Sequence, residues 1–380
     1  MSSVGRWIKL ADAKHQKKED KRAMNIPRNI SRGSPRRAMT LGVVAALLAL
    51  TAAGSAVAAT SFSANPPQRT INVGAGALKV GGSQLNVAHF TSCSCNNYNK
   101  SMNAAGVTLA KKLGAKYTQF NGNLTALTQI NEMQQALNEP FNAWIVESVT
   151  PSVCAIVKKA IAKGIVVSIF NEQVCTSPYT VGTKAWYPGT VNFVGGDETT
   201  DAFDAWVQKI YAANPGPQDV LFVLGTPGFH QTLSVTQAAD AIQKKHPGFK
   251  VTILTVPTYD LAGAHSAVQA HLPADKHITI VAGDYSDLTQ GAVEALTQAG
   301  RLKGVKIYDM GGSTWAIQAV KNGTLALTSV FLPATEVIDS MQSVYNAWNG
   351  SPGPRYVDIL KTLSDPFITK QNANSFKPQY

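Results

Sequence analysis

The sequence predicts an α/β protein with two lobes, each built on a doubly wound parallel sheet. The first observation is a set of short, β-branched apolar runs, which are typical of parallel strands covered on both faces. They are "LNVAHF" (85–90), "AWIVES" (143–148), "IVVSIF" (165–170), "VLFVL" (220–224), "VTILTV" (251–256) and "ITIVAG" (278–283). The second is the helical pattern between these runs, which indicates strand–helix–strand crossovers. Because there are too many such units for one sheet and no Ser/Gly linker separates them, we expect two lobes joined by a short hinge.

The N-terminal segment reads as an export signal. Residues 1–58 hold eleven Lys/Arg and three Asp/Glu, so they carry +8 of the net +11 of the 380-residue chain. Arg36 and Arg37 precede the apolar run 41–50, and the "AVA" at 56–58 matches a small-residue cleavage site. We predict a cleavable signal peptide at 1–58, of the general or twin-arginine type, and a periplasmic or extracellular protein. An uncleaved membrane anchor is the alternative.

The rest of the chain is nearly balanced in charge, at +3. Because the positive charge is concentrated in residues 1–58 and the rest of the chain is nearly neutral, the charge pattern does not predict a nucleic-acid partner. Residues 59–85 are rich in Pro, Gly and Ser without clear periodicity, so we expect a loose extension there.

Two segments between the predicted strands carry helix start and stop signals. In "TPSVCAIVKKAIAKG", Thr150 is the predicted cap, Pro151 the first helical residue and Gly164 the end. In "SDLTQGAVEALTQAG", Ser286 is the predicted cap and Gly300 the end. Ligands of such open sheets bind at the carboxyl ends of the strands, where these helices begin.

The four cysteines of the chain are Cys93, Cys95, Cys154 and Cys175, all in the first predicted lobe. In an exported protein an even number of cysteines indicates disulfides. A bridge between Cys93 and Cys95 would close a very small ring, so we expect the loop "FTSCSCNNYNKS" (90–101) to be linked to Cys175 or Cys154 instead. Free thiols are one alternative. A zinc site is another, but Cys-x-Cys lacks the usual ligand spacing, so no metal is predicted.

Five further stretches, taken in order and spacing, resemble the periplasmic sugar-binding proteins of ABC importers, of the ribose- and galactose-binding type. They are "NNYNKSMNAAGVTLAKKLG", "AWIVESVTPSVCAIVKKAIAKGIVVSIFN", "VNFVGGD", "QGAVEALTQAGRLKGVKIYDMGG" and "NGTLALTSVFLP". The resemblance implies a type I periplasmic-binding-protein-like fold with a three-crossing hinge near Phe193, Phe331 and Leu360. The implied lobes are 86–193 plus 332–360 and 194–331 plus 361–380.

The same resemblance implies a set of ligand-binding residues in the cleft between the lobes. Asn97 stands where the family places a sugar-binding asparagine, and Tyr259 where it often places a stacking aromatic. Gly311, by contrast, stands where the family commonly has an aspartate. The full set of implied ligand-binding residues is Asn97, Tyr98, Asn99, Asn171, Glu172, Tyr259, Asp284, Tyr285 and Phe331. Plain helix capping is the alternative role for the asparagines of the opening loop.

We therefore predict an exported, monomeric solute-binding protein without a cofactor, which binds a sugar-like molecule and presents it to an ABC permease. The chain has no G-x-S-x-G, G-x-G-x-x-G, Walker or H-E-x-x-H motif, so no enzyme is predicted. Charged side chains with which the family binds sugars are missing from this chain. A less polar cyclic compound is therefore an alternative ligand. A sensor that feeds a membrane receptor is an alternative function. A sugar-responsive transcription regulator would need a helix-turn-helix where this chain has its apolar signal.

Overall fold

The structure is a computed structural model that describes residues 62–175, 180 and 182–380; the predicted signal peptide lies outside these residues. The strands, in chain order, are β1 (Arg69–Asn72), β2 (Ala77–Val80), β3 (Asn86–Thr91), β4 (Lys116–Asn121), β5 (Ala143–Glu147), β6 (Val166–Phe170), β7 (Asn192–Gly195), β8 (Gln218–Leu224), β9 (Phe249–Thr255), β10 (Ile280–Gly283), β11 (Lys306–Gly311), β12 (Leu327–Val330), β13 (Tyr356–Asp358) and β14 (Phe367–Ile368).

Nine α-helices occur among the described residues. They are α1 (Asn97–Leu113), α2 (Ala126–Ala136), α3 (Cys154–Ala162), α4 (Thr200–Ala213), α5 (His230–Lys245), α6 (Leu261–His271), α7 (Ser286–Gln298), α8 (Thr314–Asn322) and α9 (Pro333–Trp348). None of them is long and apolar enough to cross a lipid bilayer.

Two six-stranded sheets form the two lobes. The first has the order β13-β7-β6-β5-β3-β4, and every neighbouring pair in it is parallel. The second has the order β14-β12-β11-β10-β8-β9 and is parallel except where β14 runs antiparallel to β12. The predicted fold class is therefore confirmed, and all six predicted strands occur within a few residues of their predicted bounds.

The central strands are apolar on both faces because helices cover both sides of each sheet. All five residues of β5 and all five of β6 are buried. Trp144 in the first lobe and Trp206 and Phe222 in the second are completely buried. Side chains of this size supply about 2–3 kcal/mol each on burial.

The chain passes between the sheets three times, as the three-crossing prediction requires. It leaves β7 for α4 through residues 196–199, leaves β12 for α9 through 331–332, and leaves β13 for β14 through 359–366. Phe331 and Leu360 lie in the second and third crossings, whereas Phe193 lies inside β7, before the first. The lobe limits given above stay a prediction, and the end of β7 favours moving the first limit to Gly195.

Residues 69–80, which were expected to be loose, form a β-hairpin instead. β1 and β2 pair antiparallel from Arg69 opposite Val80 to Asn72 opposite Ala77. Ile71 and Val80 are buried, and so is Leu85, which follows the hairpin. The Pro/Gly/Ser-rich composition hid this alternation because the strands are only four residues long.

The predicted helix signals are partly correct. Thr150 caps its helical segment, since its side chain accepts from the Ser152 amide at 3.3 Å. The helix that follows is shorter than predicted, because its first turn, Pro151–Val153, is a 3-10 turn. Ser286 is the first residue of α7 rather than its cap, and Tyr285 occupies the cap position.

The cysteine pairing predicted from the sequence is wrong. Cys93 is bonded to Cys95, with 5.3 Å between their α-carbons, and Cys154 is bonded to Cys175, with 4.9 Å. The reason is topological: Cys154 begins α3 after β5, Cys175 follows the adjacent strand β6, and the two ends lie side by side in the sheet. All four cysteines are thus used in disulfides.

Residues 379 and 380 connect the two lobes beside the crossings. The Gln379 side chain accepts from the Ala334 amide at 2.9 Å and the Thr335 amide at 3.2 Å, so it caps α9 of the first lobe. The Tyr380 carbonyl accepts from the Thr314 amide at 2.8 Å, at the start of α8 in the second lobe. Gln379 therefore supplies the side-chain cap that Leu332, at the cap position of α9, does not provide.

We predict that Gln379→Ala lowers the free energy of unfolding by about 1 kcal/mol, the usual cost of a lost helix cap. The melting temperature should fall by about 2–4 °C. Circular dichroism during heating measures the melting temperature. The matched control is Gln371→Ala, at an exposed position between β14 and Gln379. Equal melting temperatures for the two variants would show that the cap is unimportant.

Candidate functional site

A cavity opens between the carboxyl ends of the strands of the two lobes. About 530 Å³ of space free of protein atoms lies there, part of it open to solvent. The first lobe and the first crossing supply Ser92, Asn96, Tyr98, Asn99, Leu124, Glu147, Ser148, Asn171, Glu172 and Glu198. The second lobe and the second crossing supply Phe229, Gln231, Tyr259, Tyr285 and Phe331.

Seven of the nine predicted ligand-binding residues line this cavity: Tyr98, Asn99, Asn171, Glu172, Tyr259, Tyr285 and Phe331. The other two do not line it. Asn97 is exposed at the start of α1, because the helical turn that brings Tyr98 and Asn99 inward turns Asn97 to solvent. Asp284 is fully buried behind the wall, where its carboxylate accepts from the Gly225 amide at 3.3 Å.

The sequence did not predict eight of the lining residues. Among them, Glu147 is the last residue of β5 and Ser148 follows it. The run "AWIVES" could have indicated both, since two polar residues close an otherwise apolar run. Asn96 is the cap of α1. Of the asparagines in the opening loop, it is therefore the one that has the alternative role of helix capping. Glu198 lies in the first crossing, and nothing in its local sequence marks it as a cavity residue.

Glu147 organises the floor of the cavity in the first lobe. Its carboxylate accepts from the Thr91 hydroxyl at 2.5 Å, the Ser92 amide at 2.9 Å, the Ser92 hydroxyl at 2.7 Å and the Asn99 amide group at 3.3 Å. Burial raises the pKa of Glu147, and these hydrogen bonds oppose the rise. Buried Gln129 holds the strand end in place by donating to the Glu147 carbonyl at 2.8 Å.

Tyr98 joins the cavity to the hinge. Its hydroxyl donates to the carboxyl of Glu336, on α9, at 2.6 Å and accepts from the Asn171 amide group at 2.8 Å. The Glu198 carboxyl interacts with the same hydroxyl and with Asn171. Burial, and then the charge of Asp197, raise the pKa of both Glu198 and Glu336 well above the ordinary range of a carboxyl.

The second lobe contributes an aromatic wall. Phe229 and Tyr259 stack with ring centres 6.0 Å apart, and Tyr259 meets Tyr285 edge-on at 6.0 Å. The Tyr259 hydroxyl donates to Gln231 at 3.2 Å, and Gln231 in turn donates to the Asp284 carbonyl. The wall is thus held in place by hydrogen bonds behind the rings.

Polar contacts join the two lobes at this edge. Glu172 of the first lobe lies 3.5 Å from the His230 ring of the second. In the hinge, the Asp197 carboxylate of the first crossing accepts from the Leu332 amide of the second crossing at 2.6 Å. The crossings are therefore tied to one another independently of the cavity.

Three cavity residues have a left-handed backbone although they are not glycines. The φ angles are 62° at Asn171, 51° at Tyr259 and 54° at Leu124. Such conformations cost of order 1 kcal/mol or more and are concentrated at binding sites. Each of them follows the carboxyl end of a strand, where the chain turns sharply to bring a side chain over the cavity.

The architecture and the interlobe cavity agree with one known family. The sequence profile described as "periplasmic binding protein domain" matches residues 87–352. The chain belongs to this family. The resemblance predicted from the sequence is therefore confirmed, and the fold is that of the sugar-type solute-binding proteins of ABC transporters.

Solved structures of such periplasmic binding proteins share this fold. A solute-binding protein of Actinobacillus succinogenes with bound D-allose is 18% identical, with a TM-score of 0.65 over 77% of this chain and 100% of that one. One of Bacillus halodurans with bound myo-inositol is 17% identical, with a TM-score of 0.67 over 78% and 98%. One of Mycobacterium smegmatis with bound glycerol is 21% identical, with a TM-score of 0.65 over 78% and 98%. No curated protein sequence matched the chain.

We predict that the stability of the periplasmic binding protein falls as the pH rises from about 4 to about 8. Burial raises the pKa of Asp284 to about 8, and nearby Asp309 adds to the rise, while the Gly225 amide opposes it. A carboxyl whose pKa is higher in the folded state favours folding at low pH, and this contribution is lost as the pH passes through the folded value. Melting temperatures measured across this range should therefore decline.

The variant Asp284→Asn keeps the shape and removes the titration, so its melting temperature should decline less over the same range. Asp240→Asn, at an exposed position of α5, is the control and should follow the wild type. If Asp284→Asn and the wild type had parallel curves, Asp284 would not be the titrating group.

Proposed function

We propose that this protein is the exported solute-binding component of an ABC importer, which binds a sugar or polyol between its lobes and presents it to a membrane permease. The observation that carries the proposal is the cavity itself, which both lobes and two of the crossings line. A ligand there contacts both lobes only when they are closed, so its binding shifts the population toward the closed form.

The composition of the wall suits a hydroxylated ring. Asn99, Asn171 and Gln231 offer amide donors and acceptors, and Glu147 and Glu198 offer carboxyl groups. Tyr259 and Phe331 offer flat faces for the C–H surface of a sugar. Related binding proteins with the same fold hold D-allose and myo-inositol, which are compounds of this kind.

Ser148 adds a specific reason to expect a polar ligand. Its hydroxyl is buried and lines the cavity, yet it has no hydrogen-bond partner among the residues that the structure describes. A buried hydroxyl without a partner costs about 1–3 kcal/mol, so a ligand hydroxyl that bonds to it gains affinity. The Tyr285 hydroxyl, on the other lobe, is also buried and has no hydrogen bond of normal geometry to the described residues, although the Tyr98 backbone lies near it.

We expect sugars or polyols to raise the melting temperature in a thermal-shift screen, because a ligand of the native state alone stabilises it. At 100 times the Kd the gain is about 2.7 kcal/mol. The screen should include aldohexoses, pentoses and inositols, together with less polar cyclic compounds. If only the less polar compounds raise the melting temperature, the sugar assignment is wrong.

We predict that Ser148→Ala and Tyr285→Phe each weaken binding of the compound found in that screen by about twofold to tenfold, the value of one neutral hydrogen bond. The free variants should be as stable as the wild type or more so, since each loses a buried hydroxyl that is not satisfied. Isothermal titration and thermal melting measure the two effects. Ser375→Ala and Tyr211→Phe, both away from the cavity, serve as controls. Unchanged affinity in both cavity variants would place the ligand elsewhere.

A further inference from the structure

The charges on the cavity wall are of one sign. Among the residues that the structure describes, three carboxyl groups line the cavity, those of Glu147, Glu172 and Glu198, and no lysine, arginine or histidine does. Neutral sugars need hydrogen-bonding groups but no net charge. An excess of carboxyl groups at a buried site instead calls for a positive charge nearby.

All three carboxyl groups have polar neighbours within the protein, but these neighbours differ in charge. Glu147 accepts hydrogen bonds from the neutral groups of Thr91, Ser92 and Asn99, as described above. Glu172 lies 3.5 Å from the His230 ring, which can be its counterion when protonated.

Glu198 has two neutral hydrogen-bonding neighbours, the Tyr98 hydroxyl and the Asn171 amide group, and lies among other acidic groups. It is only 8% exposed and takes part in no salt bridge with any residue in the described ranges. The groups with the largest influence on it are the carboxyls of Asp197 and Glu147, the Tyr98 hydroxyl and the Asn171 amide, none of which is positive. Glu198 thus presents a carboxyl to the cavity from within a cluster of other carboxyls.

Two independent features of the same cavity point to a polar ligand there. The Ser148 hydroxyl is 1% exposed, lines the same cavity and has no partner among the described residues, so the wall is incomplete without a polar guest. The Phe229, Tyr259 and Tyr285 rings form a continuous aromatic wall in the opposite lobe. Aromatic faces attract cations as well as sugar C–H groups.

We propose that the ligand is a hydroxylated ring that carries a protonated amine, an amino sugar or aminocyclitol, and that Glu198 binds its ammonium group. The ammonium would be the missing counterion of the carboxyl cluster, and the hydroxyl groups of the ring would bond to Ser148 and to the cavity amides. This inference rests on the proposed function and narrows its ligand class.

The test compares matched pairs by isothermal titration: D-glucosamine with D-glucose, and D-galactosamine with D-galactose. Within a pair only one hydroxyl is replaced by an amine, so stereochemistry is held constant. We expect the amine of at least one pair to bind about tenfold to 100-fold more tightly, the range of a charge-assisted hydrogen bond. The N-acetyl forms, which carry no charge, should lose this advantage.

The variant Glu198→Gln should reduce the affinity for the amine by about tenfold or more and change that for the matched neutral sugar by no more than about threefold. Glu294→Gln, at an exposed position of α7, is the matched control and should bind like the wild type. Melting curves show whether each variant is folded, and the comparison of ligands on the wild-type protein does not depend on any variant.

The outcomes separate the two proposals. If neutral sugars bind as tightly as their amines, this inference is overturned and the proposed function stands. If the amines bind more tightly but Glu198→Gln keeps the preference, the ammonium site is not at Glu198 and the inference is overturned as well. If no sugar, polyol or amine binds, the proposed function itself is wrong.

Discussion

In both sheets the strands that lead to the cavity run parallel, so their carboxyl ends and the helix starts that follow them lie at one edge. The three crossings place these two edges opposite each other. Several polar groups of the site are positioned by this arrangement: Glu147 ends β5 and Ser148 follows it, Asn171 follows β6, and Tyr285 follows β10. A site assembled in this way needs no single binding loop, which is why its residues are scattered through the chain.

The hinge is where the structure holds its buried charge. Asp197, Glu198 and Glu336 are all buried, and Tyr98 connects two of them through one hydroxyl. Burial of carboxyls beside one another is unfavourable when they are ionised, so the cluster favours neutral forms or a positive partner. Tyr98 therefore separates the cavity carboxyl of Glu198 from Glu336, on α9, by a single side chain.

The sequence predicted the fold well and the site only in part. The strands could be predicted from short apolar runs with β-branched residues. A strand that is buried on both faces needs such a run, and the run is visible in the local sequence. The resemblance also implied Asn171 and Tyr259, which line the cavity. It implied Asn97 as well, which is exposed, since one step along α1 decides whether a side chain faces the cavity or solvent, and a helical rotation of this size is not visible in the resemblance. Glu198 and the pairing of Cys154 with Cys175 depend on which segments meet in space, and no local pattern carries that information.

Gly311, where the resemblance implies an aspartate, has no room for a side chain. Its φ of 146° suits glycine, and an added β-carbon would lie 2.4 Å from the Ser286 hydroxyl and 2.6 Å from the Tyr380 hydroxyl. An aspartate at this position would therefore collide with Ser286 and with Tyr380, whose ring packs edge-on against Tyr98 and parallel to Tyr285. The acidic groups that line the cavity among the described residues come instead from the first lobe and the first crossing, namely Glu147, Glu172 and Glu198.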